Sequence, residues 1–212
     1  MKILDAGLTF SGAAPSAGVQ EKIDAVVLHH RAGAGDVNSI HAQHLAQGWW
    51  GIGYHYYVRK NGEVWRGRPE KYAGSHAGAS NGYNLHSIGV CFEGNFEKDT
   101  MPDAQLAAGL ELLADICSRY EIVELKTHGE LAATACPGKN FPLAKFRSRF
   151  SEIRAGDVQT GGTQTDYSAD AVKWAQESGV LLGTPGGDLR LDEAATRREV
   201  LVFLYRALNA EK

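Results

Sequence analysis

Apolar and polar residues recur with two different periods along this chain, and the switches between them mark its elements. Ile23 to His30 is a short apolar, β-branched run, which predicts a buried strand. Asn38 to Gln47 changes to helical spacing, with Ile40, His44 and Leu45 on one side, Ser39 near the start and Gly48 as the stop. Tyr54 to Val58 and Glu63 to Trp65 flank Lys60-Asn61-Gly62, and an Asn-Gly pair between β-prone runs supplies the backbone freedom a tight hairpin turn needs. Ser87 to Phe92 is a further apolar strand. A helix opens at Thr100-Met101-Pro102-Asp103, carries Leu106, Leu110 and Leu113 as its buried stripe, and ends near Tyr120.

Strands interleaved with helices, in an order that includes a hairpin, predict an α/β domain over residues 1–155, built on a mixed central sheet flanked by helices. Residues 156–166, GDVQTGGTQTD, lose apolar periodicity and have a flexible linker's composition. Residues 167–212 form a second, small all-α unit that reads helix, loop, helix. Its last helix starts at the capping-box phrase Thr196-Arg197-Arg198-Glu199 and continues through Val200, Phe203, Leu204, Ala207 and Leu208 at helical spacing. About 40 residues is near the lower limit for an independent core.

With 212 residues, 43% hydrophobic and 22% charged, the chain has enough apolar material for a sizeable core. A formal charge of -3 and no Lys/Arg run give no reason to expect nucleic acid or an anionic membrane as partner. The N-terminal stretch MKILDAGLTFSGAAPSAG has no apolar core of signal-peptide length, and nothing elsewhere approaches a membrane span, so the expected place of synthesis and storage is the cytoplasm. Cys91, Cys117 and Cys136 are too sparse for a disulfide scaffold, and an odd count leaves at least one reduced. Cys91 and Cys117 are expected as apolar fillers.

Candidate chemistry lies in two phrases a hundred residues apart: Val26-Val27-Leu28-His29-His30, and Thr127-His128-Gly129 through to Cys136-Pro137-Gly138. Two imidazoles and a thiolate are the donors Zn²⁺ prefers, and three protein ligands leave one coordination position for water or substrate, the pattern of a catalytic ion. His128 and Cys136 share one loop, where Pro137 and Gly138 turn the chain and send the sulfur back toward the imidazole. Side chains alternate across a strand, so only one of His29 and His30 can face an ion.

Residues 20–150 resemble the zinc-dependent N-acetylmuramoyl-L-alanine amidases shared by phage lysins, bacterial wall amidases and animal peptidoglycan recognition proteins. The matching phrases are VVLHHRAG, IGYHYYVRKNGEVWRGR, HSIGVCFEGNF and THGELAATACPG. The resemblance implies His29, His128 and Cys136 as the Zn²⁺ ligands, Tyr54 beside the reacting water, and Thr134 at the reacting carbonyl. It also makes Glu93 a secondary candidate for general base, and places His76, with Asn84 nearby, where relatives approach the glycopeptide. His30 is expected to turn away from the ion or donate to a neighbour, His41 and His44 to be solvated or capping, His55 and His86 to be structural, and Trp49, Trp50 and Trp65 to serve the core or the groove.

The phrase AVKWAQESGVLLGTPGGDLRLDEAATRREVLVFLYRAL resembles an S-layer homology motif, a module that docks on bacterial wall polymers. A single copy, where three commonly stand together, implies either pairing with copies on other chains, and so a homo-oligomer, or weak binding. The expected function is cleavage of the amide between N-acetylmuramic acid and L-alanine in peptidoglycan, by a phage or prophage endolysin held inside the cell until it reaches the wall. Its rivals are a cytoplasmic muropeptide-recycling amidase and a peptidoglycan binder without hydrolysis.

Overall fold

The computed structural model describes residues 1–78, 80–155 and 177. The chain divides into Met1–Val158 and Gln159–Lys212. The expected linker at 156–166 and, apart from residue 177, the expected helical unit at 167–212 lie outside the described residues. The first unit is an α/β domain on one six-stranded mixed sheet.

Its strands are β1 (Ile3–Leu4), β2 (Ala25–His30), β3 (Tyr56–Val58), β4 (Val64–Arg66), β5 (Ser87–Phe92) and β6 (Glu124–Thr127), in the spatial order β1-β4-β3-β5-β2-β6. β3, β5, β2 and β6 run parallel, whereas β4 returns antiparallel to β3 through the expected Asn-Gly hairpin. β5 and β2 are central, so both faces are covered and both sequences read as continuous apolar runs.

The pleat sends alternate residues to two cores. Val26, Leu28, Ile88, Val90 and Phe92 pack under α2 (Asp103–Arg119) and α4 (Leu143–Arg154), meeting Leu106, Leu112, Leu113, Ile116, Phe141 and Phe146. Tyr57 and Cys91 face the other way, against Val37 and Ile40 of α1 (Val37–Ala46) and Ile52. Asp36 rather than Ser39 starts α1, because its carboxylate accepts from Ser39 N at 2.8 Å. Of the expected α2 stripe, Leu106 and Leu113 are buried and Leu110 only partly so. Among the described residues no helix is long and apolar enough to cross a membrane.

Candidate metal centre

The parallel pairing of β2 with β6 aligns Leu28 with Thr127, so His29 and His128 emerge side by side at the carboxyl ends of neighbouring strands. Ligand sites of open α/β sheets collect at such strand ends. His29 is wholly buried on the α1 face, and its ring lies 4.8 Å from that of His128. His128 does not sit in a loop: it begins a one-turn helix, α3 (His128–Leu131). The carboxylate of Glu130 closes that turn by accepting from Thr127 N at 2.7 Å and Thr127 Oγ1 at 2.9 Å.

The return of Cys136 to this place depends on main-chain bonds. Gly129 N donates to Cys136 O at 2.7 Å, and Cys136 N donates to Thr134 Oγ1 at 3.3 Å. After a cis Cys136–Pro137 peptide the chain passes Gly138, at φ 101°, where an added Cβ would stand 2.4 Å from the backbone of Phe96. Only glycine tolerates both the left-handed conformation and that approach. Cys136 Sγ thereby reaches within 4.0 Å of His29 Nδ1 and accepts from His30 N at 3.3 Å. One donor atom from each of His29, His128 and Cys136 lies within 4.8 Å of the other two, a cluster that could hold a metal ion.

His30 points to the opposite face, where its Nδ1 accepts from Phe96 N at 3.2 Å. Burial, with the neighbouring His128, His30 and His55, holds His29 well below the ordinary imidazole range, and burial lowers His128 as well. Both are therefore neutral at pH 7, the protonation state a ligand needs. Burial pushes the Cys136 thiol up to about 11, opposed by the His30 amide. A cation among these three neutral donors would give their converging lone pairs a shared partner and would favour ionisation of the thiol.

Tyr54 stands beside this cluster, its ring centroid 5.1 Å from that of His29. Burial, and the nearby Cys91 and Cys136, keep its phenol well above the usual tyrosine range, so at working pH it is a hydrogen-bond donor. Thr134 is exposed; accepting the Cys136 amide leaves its own O–H able to donate outward. Glu93 is placed differently from a free base. It is only 7% exposed, and its carboxylate accepts from Arg59 Nε at 3.3 Å and Lys60 N at 3.1 Å, bracing the β3–β4 hairpin. His76, expected at the glycopeptide, is 5% exposed and meets His29 instead, with His76 Nδ1 3.1 Å from His29 Nε2. Asn84 accepts from the amides of His76 and Ala77, each at 2.9 Å, and so fixes the loop that carries His76.

Three supporting residues escaped the sequence reading. His41 and His44 are buried, not solvated: their Nδ1 atoms accept from Ile52 N at 3.2 Å and Gly53 N at 3.1 Å, bolting α1 to the loop that delivers Tyr54. Arg68, 1% exposed, donates to the carbonyls of Ile52 and Ala73 and to Ser75 Oγ, tying the same loop to the one before His76. Burial lowers Arg68 to about 10, which still leaves it cationic. A signal for the histidines was available, since imidazoles on the inward stripe of an amphipathic helix must find polar partners. A cavity of about 530 Å³ lies elsewhere, between Asp5, Phe10, His55, Arg66 and Glu70, and includes none of the three clustered donors. Trp49 is 40% exposed, its ring tilted against that of His44 at 4.5 Å, whereas Trp50 stacks on Phe10 at 4.2 Å.

Proteins similar to this chain come from phage, bacteria and insects. The chain is 37% identical over 137 residues to the endolysin of Escherichia phage T7, which covers 60% of this chain and 87% of that one. It is 35% identical over 127 residues to peptidoglycan-recognition protein SC2 of Drosophila melanogaster, covering 54% and 67% respectively. Among solved structures, N-acetylmuramoyl-L-alanine amidase LysC from Clostridium intestinale URNW superposes with a TM-score of 0.65 at 33% identity, over 71% of this chain and 98% of that one. Residues 19–139, more than half of the sequence, match the family described as N-acetylmuramoyl-L-alanine amidase, and the chain belongs to that family as one of its enzymes.

Proposed function

We propose that this protein is a zinc-dependent peptidoglycan hydrolase of the endolysin kind, cutting the amide between N-acetylmuramic acid and L-alanine of the stem peptide. The observation that carries this reading is the convergence of His29, His128 and Cys136 from two distant segments, with no fourth His, Cys, Asp or Glu grouped with them among the described residues. The donor set fits Zn²⁺. His29, His128 and Cys136 would hold the ion, their donor atoms already lying within 4.8 Å of one another. The ion would supply Lewis acidity, making water ionisable near neutral pH and polarising a carbonyl.

The chain's own groups do the rest. Tyr54, held as a phenol, donates to the oxygen that gains charge as the amide carbon becomes tetrahedral, and Thr134 donates from the exposed side of the same centre. Arg68, His41 and His44 keep the Tyr54 loop from drifting, which matters because misplacement by about 1 Å costs on the order of a hundredfold in rate. Residues 167–212 would hold the enzyme on a wall polymer, and storage inside the cell before release fits the endolysin reading. A complete donor set favours hydrolysis over binding alone.

Incubation with purified sacculi, read as new L-alanine amino groups, tests this. Release that requires zinc and vanishes in Cys136→Ser while sacculus binding persists is the expected result; zinc-loaded protein that releases nothing rejects the enzyme. Faster turnover of soluble muropeptides than of intact sacculi would favour the recycling amidase instead.

A further inference from the structure

His76 stands directly behind a metal-ligand candidate, and its surroundings are shaped to hold it there. His29 faces Cys136 with Nδ1 and His76 with Nε2, the two rings lying at 81° to each other. A neutral imidazole has one N–H. His29 Nδ1 can bind a cation only if it is bare, which places the proton on Nε2, aimed at His76 Nδ1. The opposite polarity, with His76 donating, would move the proton to His29 Nδ1 and block the ligand. His76 must then carry its own hydrogen on Nε2, and that atom is buried with no hydrogen-bond partner among the described residues. An unpaired buried N–H is costly, so its retention calls for a compensating task.

The slot around the ring is made to order. A Cβ on Gly89, in the middle of β5, would lie 2.5 Å from the His76 ring, and one on Gly74 would lie 2.3 Å from it. Asn84 pins the His76 amide, and His55 sets its ring edge-on at 5.5 Å. His55 is itself fixed between Gly89 N, donating at 2.9 Å, and Tyr72 O at 3.1 Å.

We propose that His76 is a positioning residue that accepts the Nε2 proton of His29, locks that ring in the tautomer with Nδ1 bare, and so tightens binding of the cation. This rests on the metal reading above. Two variants separate the roles: His76→Leu removes the acceptor and keeps an apolar filler, whereas His76→Asn keeps an acceptor near the Nδ1 position. Zinc affinity is measured by competition with a chromophoric chelator, the His29 tautomer by nitrogen NMR, and folding by the thermal midpoint of the metal-free proteins. His76→Leu is expected to weaken zinc binding about 10–100-fold and to mix the His29 tautomers, with His76→Asn within about threefold of wild type. Leu within threefold of wild type, or Asn as weak as Leu, overturns the inference and leaves the amidase reading standing. Wild-type protein that takes up no zinc overturns both. If His76→Leu does not fold, the Asn variant decides: retained affinity supports the role and a tenfold loss overturns it.

Discussion

At the scale of single residues, the chemistry separates groups that must change during reaction from groups that must not. Tyr54 is 5.1 Å from His29 ring to ring, and burial denies it ionisation, so in the proposed reaction it would contribute a hydrogen bond to developing charge. Tyr54→Phe should lower kcat by about 10²–10³ and leave zinc content unchanged, measured by single-turnover hydrolysis beside metal analysis. A parallel fall in zinc content would make Tyr54 part of the metal's support instead. Glu93 offers the contrast. Its carboxylate already accepts two bonds from the β3–β4 hairpin, so Glu93→Gln should leave kcat within about threefold and lower stability by on the order of 1 kcal/mol. A drop in kcat as large as that of Tyr54→Phe would return Glu93 to the reacting groups.

Elements were legible where one physical signal dominated. β2 and β5 are covered on both faces and read as unbroken apolar runs, and the Asn-Gly turn announced the β3–β4 hairpin. β6, Glu-Leu-Lys-Thr at the sheet edge, and α4, with only Phe146 buried among many charges, carry too little apolar periodicity to be seen. The metal-ligand candidates were legible as residue types, but choosing His29 over His30 came from resemblance, because a strand's faces are assigned only once its neighbours are known. Supports such as His41 and His44 were misread because their partners are amides brought near by folding. Gly89, isolated within a strand, was the one local hint of a close approach.

Those buried imidazoles also give the elements a shared pH limit. His55 joins β5 to the start of β3, and burial lowers it from 6.5 to about 4; His44, under α1, shifts in the same direction to about 4. The folded chain therefore binds fewer protons than the unfolded chain between these values, so stability is fully present above about 6.5 and is lost as pH falls toward 4. For His55 alone the loss reaches on the order of 3 kcal/mol. Denaturant midpoints of the metal-free protein at pH 7.5 and 4.5 check this, and an unchanged midpoint would contradict the buried neutral state.

At the scale of the whole molecule, the described α/β fold is followed by a stretch of different composition, and we propose that the fold is self-sufficient. The sheet, both cores and all three metal-ligand candidates lie before residue 156. A chain ending at Val158 should therefore keep its thermal midpoint, zinc content and turnover of soluble muropeptides. Its loss should appear only on intact sacculi. Anchoring raises the local concentration of wall substrate without adding a contact at the metal, a gain that can reach about 10²–10⁴ for a well-placed tether. A weak single motif should fall at the low end, so the truncated enzyme should solubilise sacculi at least tenfold more slowly at limiting enzyme and approach the full chain when enzyme is in excess. Equal rates on sacculi at every concentration would show that residues 167–212 do not hold the wall. A loss of soluble-substrate turnover would instead make the tail part of the catalytic fold.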